Sequence, residues 1–516
     1  MHHNHLIRAL PLLASALGRK YGVQVRIGGD AAFTDGNIIQ LPSLPRDCDD
    51  TLLGLVRGMI DHESAHIRNT SFADLKAAGL TPLEKHIWNT LEDWRVENVL
   101  AAIYPGCRGN FQWLIKHLFL SKSGTSKPAH RDPAARILEW LLLTVRAWDV
   151  PDLESECDGL QADLEISFPG LSHEIEPVLR QVKAQCGSTA EAIQYARDIT
   201  EILKRYVHSP GQQKPNSKGK AGKALQSLEK LLATDGASLP QDMGSQVMDA
   251  IAGACKGSGN STQVAIPTPK PLSTLSSRDQ DACRQATTAL RTRLQAMMQS
   301  LRSVRNQAGY TGALNTRKLH SLITGNTKLF LRRTEQQGVY TVVHILIDSS
   351  GSMQGEAITL ASQACFAVAT AIGSIKGINL GVTTFPGGCA GSSQSRTHRT
   401  VMPVLHHGQA MHPRFSITAG GGTPMDAALW WVMQQIYPLS EPRKMILLIT
   451  DGEPDNKPAT CETIQTALSL GLEVYGVGIQ TQSIQDLLPS QNCRVITTIH
   501  DLAPAMFSML HNALLA

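Results

Sequence analysis

The sequence predicts a multidomain protein: a mainly α-helical N-terminal domain, a flexible linker, and a C-terminal α/β domain built on a doubly wound, mostly parallel sheet. Three observations carry that expectation. Apolar residues recur with helical period through the first two hundred residues, as in Thr51–His66, Pro82–Tyr104 and Ala134–Trp148. A stretch rich in Lys, Ser, Gly and Pro follows. Beyond residue 338, apolar runs alternate with helical stretches, as strands of a parallel sheet and their connecting helices do. At 516 residues the chain is too long for one core. We divide it at 1–207, 208–276 and 277–516.

From the N-terminus, His2, His3 and His5 belong to a terminus with no fixed structure expected. The run Ala9–Leu17, with Arg8 before it and Ala14-Ser15-Ala16 near its end, faintly resembles a leader, but it is short and holds Pro11, so a first amphipathic helix is the preferred reading. Val23–Ile27 is extended, before Gly28-Gly29-Asp30. The next helix carries His62-Glu63-Ser64-Ala65-His66, an HExxH motif. On a helix the two imidazoles lie one turn apart on one face and can share a Zn²⁺, with Glu63 placed as catalytic base to activate a bound water. Leu52, Leu55, Met59, His62 and His66 form one stripe, which suits buried core histidines equally well. The following helix opens on Thr81-Pro82-Leu83-Glu84, a capping box with proline in the first turn, and stops at Pro105-Gly106. Its stripe of Trp88, Glu92, Val96, Val99 and Ile103 makes Glu92 the candidate third zinc ligand. Asp93 is the alternative ligand, and Glu97 a supporting residue through Arg95 or a histidine.

The linker runs from Ser209-Pro210-Gly211 to Ile266–Pro271, with one or two short helices near Ala224–Ala233 and Met243–Ala254. Lys214, Lys218, Lys220 and Lys223 have no aromatics between them and read as a solvated linker, not a nucleic-acid surface. A long helix is expected over 278–306, with Arg291, Arg293, Arg302 and Arg305.

In the last third, Val342–Ile347 is a strand that ends in Asp348-Ser349-Ser350-Gly351-Ser352. Met445–Thr450 is a second strand ending in Asp451-Gly452, and Gly420-Gly421-Gly422-Thr423-Pro424 is a flexible loop before a helix. Ligands of open α/β sheets bind at the carboxyl ends of strands. Carboxylates and hydroxyls gathered there suit a hard cation such as Mg²⁺, which wants six oxygens and keeps waters when the protein supplies few.

This pattern resembles the metal-ion-dependent adhesion site of von Willebrand factor A domains: DxSxS, a distant Thr, a distant Asp. The resemblance implies that Asp348, Ser350, Ser352 and Thr423 approach the ion and that Asp451 acts directly or through water. It also implies that an acidic side chain of a partner protein fills the remaining position. The runs Gly312–Leu319, Lys328–Arg333 and Asp348–Gly355 are similar to the C-terminal region of the cobaltochelatase CobT subunit, over about 276–516. That family usually carries a strongly acidic linker, whereas this one is Lys-rich. In the N-terminal domain, the HExxH helix and its successor are similar to the zincin-like helix pair of gluzincin metallopeptidases. Asn89–Asp93 resembles the N-terminal region of CobT-like proteins.

These likenesses imply an adaptor that works beside a separate AAA+ ATPase of the MoxR or chelatase (CobS) type, and binds a client protein. The chain has no GxxxxGK[ST] of its own, so ATP-driven work would be the partner's. The alternatives are a zinc metallopeptidase whose A domain recruits substrate, and a subunit that inserts Co²⁺ into a tetrapyrrole. The oligomeric state is open, a homo-oligomer included. Ten cysteines without a CxxC pair read as reduced thiols in a cytoplasm. No run approaches the roughly 20 apolar residues of a membrane span, and a net charge of +4 is too small to imply nucleic acid.

Overall fold

A computed structural model describes residues 10–29, 33–34, 37–45, 48–120, 132–208, 220–236, 239–256, 261–268, 272–281, 283, 305–309, 313–314, 330–334, 340–375, 377–387, 399–497 and 499–515. Outside them lie His2, His3, His5, Lys214, Lys218, Arg291, Arg293, Arg302 and most of the stretches 312–319 and 328–329. The chain forms two compact units: residues 1–26 with 30–261, and residues 27–29 with 262–516.

The first unit is helical, as expected. Helix α1 (Leu10–Tyr21) leads into a small sheet of strands β1 (Gln24–Ile27), β2 (Phe33–Thr34) and β3 (Ile38–Leu41), in the order β1-β3-β2, and a short strand β4 (Leu44–Pro45). Helix α2 (Asp50–Asn69) starts where Asp49 accepts a hydrogen bond from Leu52 N, satisfying one orphan donor of the first turn. Helix α3 (Phe72–Ala78) ends on Gly79 in the left-handed conformation. Helix α4 (Pro82–Ile103) has the full capping box: Glu84 N donates to Thr81 Oγ1 and Thr81 N to Glu84 Oε2. Then come α5 (Gly106–Leu120), α6 (Pro133–Ala147), α7 (Glu154–Ser167), α8 (Leu171–Gln185) and α9 (Thr189–His208). The core gathers Leu83, Ile87, Trp88, Ile137, Trp140, Phe168, Ile199 and Leu203.

The stretch expected as a linker holds two further helices of this unit, α10 (Lys220–Leu232) and α11 (Met243–Cys255). Ala224, Leu225 and Leu228 join the helical core. Met243, Val247 and Ile251, one turn apart each, are buried. These apolar positions, spaced for one helical face, outweigh the surrounding Lys, Gly and Ser.

The second unit is α/β. Strands β5 (Ser261–Thr262) and β6 (Ile266–Pro267) precede a small antiparallel sheet of β7 (Arg305–Gly309), β8 (Ala313–Leu314) and β9 (Phe330–Thr334). Arg305 lies on β7, not on a helix running to 306 as expected; the helical turn that opens near 277 is described only as far as 283. The main sheet is built from β10 (Thr341–Asp348), β11 (Ile378–Phe385), β12 (Thr400–Leu405), β13 (Arg443–Thr450), β14 (Glu473–Ile479) and β15 (Cys493–Ile496). With β6 at one edge, its order is β15-β14-β13-β10-β11-β12-β6. All neighbours run parallel except β11 and β12. Strand β10 is buried at every position, as its unbroken apolar run requires. Helices α12 (Glu356–Gly373), α13 (Met425–Ile436), α14 (Lys457–Ser469), α15 (Ser483–Leu487) and α16 (Leu502–Leu515) complete the unit. Among the described residues α12 alone is long and apolar enough to cross a membrane. Here 61% of that window is buried, and Phe366, Val368 and Ile372 belong to the core.

Buried His344 on β10 meets half-buried His407, which follows β12. His344 Nδ1 stands 2.9 Å from His407 Nε2, and His344 Nε2 stands 3.1 Å from Thr383 Oγ1. Burial, then the neighbouring histidines, holds His344 well below its usual range. Burial brings His407 down to about 4, against the opposing effects of Asn379 and Glu441. Both therefore stay neutral when folded, while in the unfolded chain they take protons near 6.5. Stability from this pair is thus present above about pH 6.5 and falls as the pH drops toward 4. The α/β unit should lose thermal stability from pH 7.5 to pH 5, and His407→Gln should flatten that dependence. An unchanged slope in the variant would assign the effect elsewhere.

Candidate functional site

Two clusters hold the residues singled out from the sequence, one in each unit. In the α/β unit, β10 lies between β11 and β13, with the connection to β11 on one side and β13 on the other. The carboxyl ends of β10 and β13 are therefore a switch point of the sheet, where a crevice opens. Asp348 ends β10 and is fully buried. Its Oδ1 accepts from Ser350 N at 2.8 Å and its Oδ2 from Thr450 Oγ1 at 2.7 Å, so both oxygens are fixed in direction. Ser350 Oγ and Ser352 Oγ stand 3.0 Å apart, and Ser352 Oγ donates to Asp451 Oδ1 at 2.8 Å. A Cβ added at Gly452 would stand 3.9 Å from Ser352 Oγ and 4.0 Å from Thr423 Oγ1. All three segments thus meet at one point, with Asp348, Ser350, Ser352, Thr423 and Asp451 together.

The Thr423 loop is held by a residue that the motif does not contain. Asp455 Oδ1 accepts from Thr423 N at 2.9 Å, and Asp455 N donates to Thr423 O at 3.0 Å. A Cβ at Gly422 would stand 3.0 Å from the Asp455 carboxylate, a tight contact to which that side chain would have to yield. Gly351 N also donates to Gly421 O, tying the loop to the turn after β10. The one sequence signal for Asp455 is a further carboxylate four residues beyond Asp451, after Glu453. Burial, with the charge of Asp451, pushes Asp348 up to about 6 against the hydrogen bonds from Thr450 and Ser350. A carboxylate so placed, among oriented hydroxyls and a second carboxylate, is a donor set for a hard divalent cation.

In the helical unit, α2 and α4 bring the HExxH histidines to a carboxylate. Single ligand atoms of His62, His66 and Asp93 lie within 4.8 Å of one another. The rings of His62 and His66 are 4.9 Å apart. Asp93 Oδ1 is 3.0 Å from His66 Nε2, and Asp93 Oδ2 accepts from Arg146 Nη2 at 3.0 Å. Glu97 accepts from His62 Nδ1 at 2.8 Å and from Arg146 Nη1 at 2.6 Å. Glu97 thus supports a histidine directly, one of the two routes the sequence left open. Glu63 is buried beside His62.

Glu92, the first candidate from the sequence, does not join this cluster. Its carboxylate is gripped by Arg95 through Nε and Nη2 and accepts from Thr70 Oγ1 and Thr189 Oγ1. Residues 92 and 93 are both buried on α4, and it is Asp93 that faces α2. Burial alone would lower the pKa of His62. The Glu97 hydrogen bond and the charges of Asp93, Glu97 and Glu63 outweigh it and push it up to about 9. Burial would raise Asp93, but the His66 hydrogen bond and the positive charges of His62, Arg146 and His66 bring it down to about 2.

Comparison with known proteins matches both units. The von Willebrand factor type A domain model covers residues 343–502. The model described as cobalamin biosynthesis protein CobT covers residues 2–147, the region that holds Asn89–Asp93. No curated protein matches the chain. Among solved structures, proximal thread matrix protein 1 from the mussel byssus is 13% identical over 34% of this chain and 46% of that one, with a TM-score of 0.28. Manganese-loaded TRAP protein from Plasmodium vivax is 16% identical over 33% and 72%, with a TM-score of 0.26. The mussel protein with a zinc-occupied MIDAS motif is 11% identical over 58% and 80%, with a TM-score of 0.28. The chain spans less than half the length of the first of these. Residues 343–502 therefore match the von Willebrand factor type A domain, and residues 2–147 match the CobT model.

Proposed function

We propose that this protein is an adaptor whose A domain binds a partner through a divalent cation, Mg²⁺ in the cell. The partner is an AAA+ ATPase of the MoxR or chelatase type, or a client presented to it. The observation that carries this reading is the convergence of Asp348, Ser350, Ser352, Thr423 and Asp451 at the carboxyl ends of β10 and β13. Those residues would hold the cation, which supplies a positive centre for an acidic side chain of the partner. The chain's own part is to aim the oxygens: Thr450 and the Ser350 amide fix Asp348, and Ser352 is fixed on Asp451. The match of residues 2–147 to CobT supports a second reading, a subunit that works on a cobalt tetrapyrrole.

Capture of partners from a lysate of the source cells tests both. Wild-type protein with Mg²⁺ should retain an AAA+ ATPase, and Asp348→Ala and Thr423→Ala should fall to the level seen with EDTA. Equal capture by both variants, with and without EDTA, would end the adaptor reading. Cobalt insertion into a tetrapyrrole, restored by adding this protein to the ATPase, would select the second.

A further inference from the structure

The hydrogen bonds around the HExxH motif fix which nitrogens of His62 and His66 carry protons. Glu97 Oε1 is an acceptor, so His62 Nδ1 donates to it, and a neutral His62 keeps its lone pair on Nε2. Thr70 Oγ1 has a single hydrogen and donates it to Glu92 Oε1 at 3.0 Å. His66 Nδ1, 3.1 Å from the same hydroxyl, must then be the donor into it. A neutral His66 therefore also keeps its lone pair on Nε2, and that atom faces Asp93 Oδ1 at 3.0 Å. A lone pair against a carboxylate oxygen at that distance is repulsive unless a positive centre stands between them. The formal charges agree. With both histidines neutral, Glu63, Asp93 and Glu97 would bring three formal negative charges against one positive charge on Arg146, leaving two to balance by protons on the imidazoles or by a cation. One divalent cation on the two Nε2 lone pairs and Asp93 supplies the same two charges as two protons would.

We propose that His62 Nε2, His66 Nε2 and Asp93 Oδ1 hold one Zn²⁺, and that helix α11 closes the site through Gly244. Two imidazoles and a carboxylate are a donor set that suits zinc. Glu97, Thr70 and Arg146 orient the three ligands, and Glu92 acts only through Thr70. The covering contact is close: a Cβ at Gly244 would stand 3.4 Å from His62 Nε2 and 3.6 Å from Glu63 Oε1. The helix is seated there by buried Met243, Val247 and Ile251, and Asn89 Nδ2 lies 3.4 Å from Asp242 Oδ2 at its N-cap. A substrate would meet helix backbone where an open zinc site presents its water.

Elemental analysis of the full chain, purified without chelators and loaded with Zn²⁺, tests the site. About one zinc per chain is expected. His66→Ala and Asp93→Asn should lower occupancy to less than about a tenth. Asp93→Asn keeps the volume and can still accept from Arg146, so its helical circular dichroism should match wild type. Glu92→Gln should retain zinc. Wild type without metal after loading, or Asp93→Asn with wild-type affinity, would overturn the site. The cover is read from the rate of zinc removal by a chelator, which should rise on the order of tenfold in the double variant Val247→Ser, Ile251→Ser. An unchanged rate would overturn the covering role of α11 and leave the ligand set standing.

Discussion

Arg146→Ala should destabilise the helical unit by about 3–5 kcal/mol, the cost of removing one partner from a buried charge network. The guanidinium is 1% exposed and donates to Asp93 through Nη2 and to Glu97 through Nη1. Both carboxylates are buried, so alanine leaves them without the guanidinium that pairs with both. For a unit of this size the loss corresponds to roughly 10 °C in the melting temperature. Arg146→Lys should recover only part of it, because an ammonium cannot span both carboxylates as the planar fork does. Urea unfolding followed by helical circular dichroism measures the difference. A loss under about 1 kcal/mol for the alanine variant would mean that the network contributes little, and that the packing of Trp140, Leu141 and Val145 on α6 carries the helix alone.

The same network shows where sequence reasoning runs out. A period of 3.6 turns successive residues by about 100°, so Glu92 and Asp93 both fall within a wide inward arc. Which of them reaches α2 depends on the position of α4 against its neighbours. Arg95 and Thr189 decide it by claiming Glu92. Arg95 lies one turn along the same helix, but Thr189 lies 97 residues away. By contrast, β10 and β13 were legible because strands buried on both faces leave unbroken apolar runs that end abruptly in polar turns. The DxSxS turn, the Thr423 loop and Asp451 could be placed together because ligand sites of such sheets gather at strand ends. Helices α10 and α11 were half-legible. Their apolar positions had helical spacing, but the Lys, Gly and Ser around them match a solvated linker in composition. Only the packing of Leu225, Leu228, Val247 and Ile251 shows which property decides.

Asp455→Ala should weaken binding of Mg²⁺ or Mn²⁺ to the A domain by about 10–100-fold, the usual effect of removing a group that orients a metal ligand. Asp455 holds Thr423 from both sides, accepting from its amide and donating to its carbonyl. The backbone half of that clamp survives in the variant, but the carboxylate half is lost. The loop of three glycines, two of them at positive φ, then has few restraints on where it presents the hydroxyl. Asp455 is exposed, so the loss of one hydrogen bond should cost stability only about 1 kcal/mol. Affinity and stability are therefore expected to separate. Asp455→Asn still offers an acceptor to Thr423 N and should stay within a few-fold of wild type if the role is positional. Titration of Mn²⁺ followed by electron paramagnetic resonance, with thermal melts of the same samples, gives both quantities. Equal losses in the alanine and asparagine variants would make the charge of Asp455, and not its grip on Thr423, the contribution to the site. Wild-type affinity in the alanine variant would show that the Gly351–Gly421 contact places the loop without it.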